Sequence, residues 1–138
     1  MTFCEKQYNC IKNYFEITIA AGGIVHFKDE ILLIKRRGVL DLPKGKMDKN
    51  ETLEECAIRE ITEECGIQNP IIENKLLTTT YIYKISIKGK RKSKPVLKIV
   101  HWYILKLDKK QRIKPQLNEG IEQVQWVSLT LVKERLET

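Results

Sequence analysis

Within six residues, Arg59-Glu60-Ile61-Thr62-Glu63-Glu64, the chain sets three carboxylates beside a guanidinium. Residues three and four apart share one face of an α-helix, so Glu60, Glu63 and Glu64 would project together from one side. Like charges at that spacing weaken a helix, and the helix alone gains nothing from them. A divalent cation reverses the sign. Hard ions such as Mg²⁺ take a few carboxylate oxygens together with water and substrate phosphates. The chemistry these residues could do is metal-assisted work on phosphate.

The elements that must hold them are marked. Thr52 followed by Glu55 reads as a capping box. Leu53, Ala57, Ile61 and Cys65, with Ile58 beside them, supply a buried stripe opposite the acidic face. Gly66 ends the helix, because glycine accepts the left-handed conformation just past the last turn. Upstream, Leu42-Pro43-Lys44-Gly45-Lys46 reads as a loop punctuated by Pro43 and Gly45. That loop would carry the Gly45 carbonyl toward the carboxylates and Lys44 or Lys46 toward phosphate. Arg36 and Arg37 stand just ahead of it, and an arginine fork suits bidentate phosphate contact. Some of these four cations would be ordinary surface charges.

The segment Gly45–Ile67, GKMDKNETLEECAIREITEECGI, resembles the Nudix hydrolase signature Gly-x5-Glu-x7-Arg-Glu-U-x-Glu-Glu-x-Gly-U, with U a bulky aliphatic. Gly45, Glu51, Arg59, Glu60, Ile61, Glu63, Glu64, Gly66 and Ile67 fill its fixed positions. The likeness extends to LDLPKGK and EGIEQVQWV, over most of residues 16–130. It implies an α/β/α sandwich with a mixed sheet, one central catalytic helix and a C-terminal helix. It implies hydrolysis of a nucleoside diphosphate linked to a further group X, with Mg²⁺ or Mn²⁺. In such a site Glu60, Glu64 and the Gly45 carbonyl would hold metal. Glu63 would hold a second ion or orient the attacking water, and Arg59, paired with Glu51, would position Glu60 and Glu64. Glu119 resembles the late glutamate that supplies a ligand or base, with Glu122 as a rival.

Composition bounds the rest. A chain of 138 residues, 42% hydrophobic and 31% charged, suits one soluble globular domain spanning residues 1–138. No apolar run approaches the ~20 residues a membrane helix needs. The first fifteen residues lack the apolar stretch and cleavage site of a secretory signal. Cys4, Cys10, Cys56 and Cys65 form no CxxC pair, and Cys56 and Cys65 would sit ~13 Å apart along the helix, beyond disulfide reach. Reduced thiols and a cytoplasmic location follow. Net charge is +7, but residues 45–67 carry −4, leaving +11 elsewhere. An acidic site in a basic field suits a polyanionic substrate.

Along the chain, residues 16–27 and 31–35 read as a hairpin of strands about a turn at 28–30. Residues 75–87 and 96–107 read as long strands rich in Thr, Tyr, Ile and Val. Lys88 to Pro95 is a basic loop between them. Residues 122–128 give a last strand, and Ser128 or Thr130 could cap a helix through Leu136. Tyr81, Tyr83, Trp102 and Tyr103 could stack on a base, although strand aromatics more often fill cores.

The signature gives the reaction and leaves X open. Pro43-Lys44-Gly45-Lys46 resembles the loop of diadenosine-polyphosphate hydrolases and bacterial MutT-like enzymes, which implies a dinucleoside polyphosphate or nucleoside triphosphate. PKGKMDKNETLEECAIRE is also similar to the mRNA-decapping Nudix domain, and a basic loop could follow RNA. Such enzymes usually carry a helical domain ahead of the fold, for which fifteen residues do not suffice. A diphosphoinositol polyphosphate is a third option. Nudix modules that only sense nucleotides generally lose box carboxylates, and all are retained here. Many relatives are homodimers.

Overall fold

The computed structural model describes residues 5–84 and 94–137. It is built on a seven-stranded mixed sheet with three helices, the α/β/α sandwich expected. In chain order these are α1 (Glu5–Tyr14), β1 (Glu16–Phe27), β2 (Glu30–Arg36), β3 (Val39–Asp41), β4 (Lys44–Lys46) and α2 (Leu53–Cys65). There follow β5 (Ile71–Tyr83), β6 (Val96–Lys106), a 3-10 turn (Leu117–Glu119), β7 (Ile121–Ser128) and α3 (Leu129–Leu136). The sheet runs β3-β2-β1-β6-β5, with β4 also paired to β1 and β7 to β2. The β1–β6 pair is parallel, Glu16 opposite Val96 through His26 opposite Lys106, and the other pairings are antiparallel.

Ala21 and Val25 of β1, Leu32 and Ile34 of β2, and Tyr103 and Leu105 of β6 all point into one core. The α2 stripe Cys56, Ala57, Ile61 and Cys65 closes that core, each residue fully buried. Burial of such side chains, about 1.5–3 kcal/mol for each large aliphatic, is what fixes the helix axis against the sheet. The ends of α2 follow the sequence signals. The Thr52 hydroxyl accepts the Glu55 N–H at 3.2 Å, and the Glu55 carboxylate accepts the Thr52 N–H at 2.9 Å. Gly66, at φ 70°, turns the chain out in the left-handed region. Ser128 caps α3 by accepting the Leu131 N–H at 3.2 Å.

Three expectations need correction. Residues 42–46 are not all loop: Lys44–Lys46 form β4, with Lys44 opposite Gly22 and Lys46 opposite Ala20. The approach is close enough that a side chain at Gly22 would collide with the Pro43 carbonyl, so glycine on β1 makes room for the crossing strand. The long strand placed at 75–87 begins at Ile71, and its residues 85–87 lie outside the described residues, as do 88–93 of the basic loop and Cys4. Glu5–Tyr14, where no element was expected, is a helix that buries no residue. Cys56 and Cys65 are free and buried. Among the described residues no helix is long and apolar enough to cross a membrane.

Candidate active site

Because α2 buries its stripe against β1 and β6, its opposite edge faces β4 and the segment before β7. Glu60 and Glu64, one turn apart, are both buried there, Glu64 completely. The chain after β6 brings in a third carboxylate. Lys114 donates its N–H to the Cys65 carbonyl at 2.8 Å and Gln116 to the Glu64 carbonyl at 3.4 Å, which ties this stretch to the end of α2. The 3-10 turn then presents Glu119, exposed, before Gly120 turns into β7. Oxygens of Glu60, Glu64 and Glu119 all lie within 4.8 Å of one another.

Each buried carboxylate is held by its own partner. The Glu64 carboxylate accepts from Arg36 Nη2 at 2.6 Å and from the Lys44 backbone N–H at 3.1 Å. Burial still pushes its carboxyl up to about 7, outweighing the Arg36 guanidinium and the Lys44 N–H. Glu60 accepts from Arg59 Nη1 at 2.7 Å, and burial raises its pKa too, against the pull of Arg59. Arg59 forks onto Glu51 through Nε at 2.6 Å and Nη2 at 3.0 Å, and Nη2 also donates to the Lys46 carbonyl at 3.0 Å. That hydrogen bonding holds the Glu51 carboxyl down at about 2. The arginine therefore braces Glu60, Glu51 and β4, whereas Glu64 is braced by Arg36 and Lys44.

The remaining expected residues are distributed as follows. Glu63, on the exposed shoulder of α2, lies 3.4 Å from Arg59 Nη1 and outside the three-carboxylate cluster. Gly45 packs so tightly on the Glu60 carboxylate that any side chain there would overlap it, and its carbonyl accepts the Cys56 thiol at 3.5 Å. Lys44 Nζ pairs with Asp41 and stands 5.9 Å above the Trp102 ring. Lys46 is exposed. Arg37, also exposed, sits at φ 51° in the two-residue turn with Gly38 between β2 and β3. Glu122 accepts the Gly38 N–H at 3.1 Å and so serves that turn. Tyr103 is core; Tyr81 and Tyr83 are exposed, and Trp102 donates to the Thr79 hydroxyl at 2.8 Å.

The donor set fits a hard divalent cation: three carboxylate oxygens converge, and two belong to groups that burial otherwise pushes toward protonation. Two residues near the site went unread in the sequence. Asp41 is the partner of Lys44. Lys98 on β6 is half-buried, with Lys44 and Arg36 near enough to lower its pKa after burial has done so first. Its signal was available: in Val96-x-Lys98-x-Val100-x-Trp102 one lysine interrupts an otherwise apolar period-2 face.

Residues 17–138 match the family model described as NUDIX domain. Among curated proteins, the chain is 41% identical over 59 residues to the ADP-ribose pyrophosphatase of Methanocaldococcus jannaschii, across 39% of this chain. The match spans only 35% of that relative's length. Among solved structures, it superposes on the NUDIX domain of Shewanella oneidensis NrtR complexed with ADP ribose. That likeness has a TM-score of 0.64 and 20% identity, covering 96% of this chain and 88% of the other. A C. elegans Ap4A hydrolase binary complex gives a TM-score of 0.61 at 23% identity, covering 88% and 87%. At these identities the structural likenesses show the fold.

Proposed function

This chain belongs to the Nudix family, and on that premise we propose that it is a pyrophosphohydrolase acting, with Mg²⁺ or Mn²⁺, on a nucleoside diphosphate linked to X. The substrate class we assign is a dinucleoside polyphosphate or a nucleoside triphosphate. The observation that carries this reading is the convergence of Glu60, Glu64 and Glu119 within 4.8 Å, two of them buried. Residues 1–138 would act as one domain, and Cys10, Cys56 and Cys65, free among the described residues, agree with a cytoplasmic enzyme.

Glu60, Glu64 and Glu119 would hold the ion, with the Gly45 carbonyl beside them. When bound, the ion would polarise a phosphoryl oxygen and lower the pKa of its water. Arg59 keeps Glu60 aimed, and Arg36 with the Lys44 N–H does so for Glu64, each opposing the burial that raises these carboxyls. Glu63, exposed and 3.4 Å from Arg59 Nη1, would hold a second ion or orient the attacking water. Glu119, exposed at the edge of the cluster, would supply a ligand oxygen or accept the water's proton at a carboxylate oxygen. Arg36 and Lys44 lie beside the carboxylates, where they would hold the non-reacting phosphates; Arg37 and Lys46, farther out, would add to the field.

The PKGK stretch and the paired cations beside the carboxylates support a polyphosphate. The RNA 5′-cap alternative rests on the likeness of PKGKMDKNETLEECAIRE to the decapping domain and on a basic loop whose residues 88–93 fall outside the described residues, and the diphosphoinositol alternative rests on positive charge. A panel with Mg²⁺ tests the reading, with products resolved by ion exchange. It comprises diadenosine tetraphosphate, nucleoside triphosphates, 8-oxo-dGTP, ADP-ribose, capped RNA and a diphosphoinositol phosphate. Dominant turnover of a dinucleoside polyphosphate or triphosphate is expected. Preference for capped RNA would replace the substrate, and silence with metal bound would mean either an X outside the panel or a sensor, and would overturn the substrate class assigned here.

A further inference from the structure

One edge of the sheet is long and apolar. The strand order ends at β3 on one side and at β5 on the other. β3 has three residues, and shortness is one way that folded proteins keep a strand edge from recruiting another strand. β5 has 13 residues and pairs along one side with β6, from Ile71 opposite Lys106 to Tyr83 opposite Val96. Among the described residues no strand pairs with its outer side. The backbone N–H and C=O groups on that side are left for water or for another strand.

The side chains make this edge adhesive instead of guarding it. From Leu76 to Tyr83, LLTTTYIY, the strand carries no charge, in a chain that is 31% charged. Lysine and proline, the usual guards of an edge, are absent from the stretch, and Lys75 and Lys84 stand only at its ends. Both irregularities in the pairing with β6 come before Thr78, so from Leu77 onward the strand is regular. Leu77, Tyr81, Ile82 and Tyr83 are exposed, Ile82 by 60%. Alternation puts Leu77, Tyr81 and Tyr83 on one face and Ile82 on the other, so apolar groups flank the edge on both sides.

The order of these residues says what fits them. In a two-fold dimer one patch meets itself, so a strand suits its own copy when it reads alike in both directions from the axis. About Thr79 it does: Thr79 faces Thr79, Thr78 faces Thr80, and Leu77 faces Tyr81. An axis at Thr80 would lose the match, setting Thr78 against Ile82 and Thr79 against Tyr81. Hydroxyl pairs and aliphatic–aromatic pairs are favourable across strands. Charge agrees, because a second body of net +7 meets least repulsion along a seam that holds no ammonium. We propose that β5 pairs antiparallel with β5 of a second copy, about an axis at Thr79, joining two sheets into one across a homodimer. The cluster of Glu60, Glu64 and Glu119 uses no β5 residue, so this pairing is independent of the enzymatic reading.

Light scattering after size exclusion reads the pairing. The wild type should show twice the mass of one chain at about 50 μM and dissociate on dilution. Leu77→Lys removes a Leu–Tyr contact on each side of the axis, so dimer affinity should fall about tenfold to thirtyfold. Adding Tyr81→Glu should restore most of it, because position 77 of one copy meets position 81 of the other. Within one chain those positions lie ~13 Å apart, too far to pair. Thr80→Lys replaces Leu77→Lys if that variant melts early. Hydrogen exchange on the unaltered protein gives a second readout: amides of residues 77–81 should exchange about tenfold more slowly in the dimer than after dilution. A wild type that stays monomeric up to about 1 mM leaves this edge to a foreign strand or to none, and overturns the proposal. So does a dimer that Leu77→Lys leaves intact, a loss that Tyr81→Glu does not relieve, or protection that falls on other elements.

Discussion

On α2, one guanidinium reaches Glu51, Glu60, Glu63 and the Lys46 carbonyl, and both oxygens of Glu64 have donors of their own. Across the sheet, Lys98 has a tyrosine ring at 5.9 Å and no ion pair among the described residues, with Lys44 and Arg36 repelling it and Asp41 and Glu64 more weakly offsetting them. The acidic region is over-determined and the cationic region under-determined. Groups that must place an ion to within fractions of an ångström need redundant bracing. Groups that complete their electrostatics with a ligand can be left short of partners until it arrives.

The largest effect should come from undoing the acidic side's central group. Glu64→Gln removes a buried charge that its surroundings tolerate poorly, so turnover should fall about a thousandfold or more while metal-free Tm at pH 8 rises by about 2–4 °C. Kinetics and a thermal melt check both limbs. A loss of activity with a lowered Tm would mean that Glu64 serves the fold and not only the ion. Next comes Arg59→Lys. An ammonium cannot fork onto Glu51 while reaching Glu60. Metal affinity should drop about tenfold to a hundredfold. Stability should drop by about 2 kcal/mol, less than for a fully buried pair because Arg59 is 27% exposed. Full activity in Arg59→Lys would show the redundancy to be ornamental.

The same contrast governs what could be read from sequence. The acidic region lies in one run of 23 residues, Gly45 to Ile67, where helical periodicity converts spacing directly into position. Capping box, buried stripe, terminal glycine and the Glu60–Glu64 pair were legible for that reason, whereas Glu63, expected on the same face, is exposed outside the cluster. Glu119 was legible only through resemblance, since its place depends on Lys114 bonding to Cys65 and Gln116 to Glu64, at the end of an α2 distant in the chain. The Arg36–Glu64 pair and the Asp41–Lys44–Lys98 group depend on strand order and register, which no local pattern encodes. The short β4 was missed because Pro43 and Gly45 signal a loop, while its pairing is decided by Gly22 on another strand.

Acidity separates the braced from the strained carboxylates without any mutation. Glu51 has a folded pKa of about 2, below its ordinary 4.5, so its stabilising contribution is complete above 4.5 and is lost as pH falls toward 2. Glu64 is the reverse: its folded pKa is raised to about 7, so folding favours its protonated form and metal-free stability grows as pH falls from 7 toward 4.5. Tm of the metal-free protein should therefore peak near pH 5. Glu64→Gln should flatten the alkaline side of that peak and Glu51→Gln the acid side, each by about 2–5 °C. A profile that declines steadily below pH 8 would contradict the sign assigned to Glu64.

The smallest effect discriminates two glutamates only three residues apart. Glu119 shares the carboxylate cluster, whereas Glu122 accepts one N–H from Gly38 on the β2–β3 turn. Glu122→Gln keeps an acceptor, so activity should stay within about twofold and stability within about 0.5 kcal/mol, the usual range for a surface substitution. Glu119→Gln should instead lower kcat by about a hundredfold, as expected of a displaced ligand or a lost base. If it acts as a ligand, added Mn²⁺ should restore part of the rate; if as the base, added Mn²⁺ should restore none of it. Comparable losses in both variants would mean that the segment before β7 works as a unit, and that the exposed turn is as tightly determined as the helix it faces.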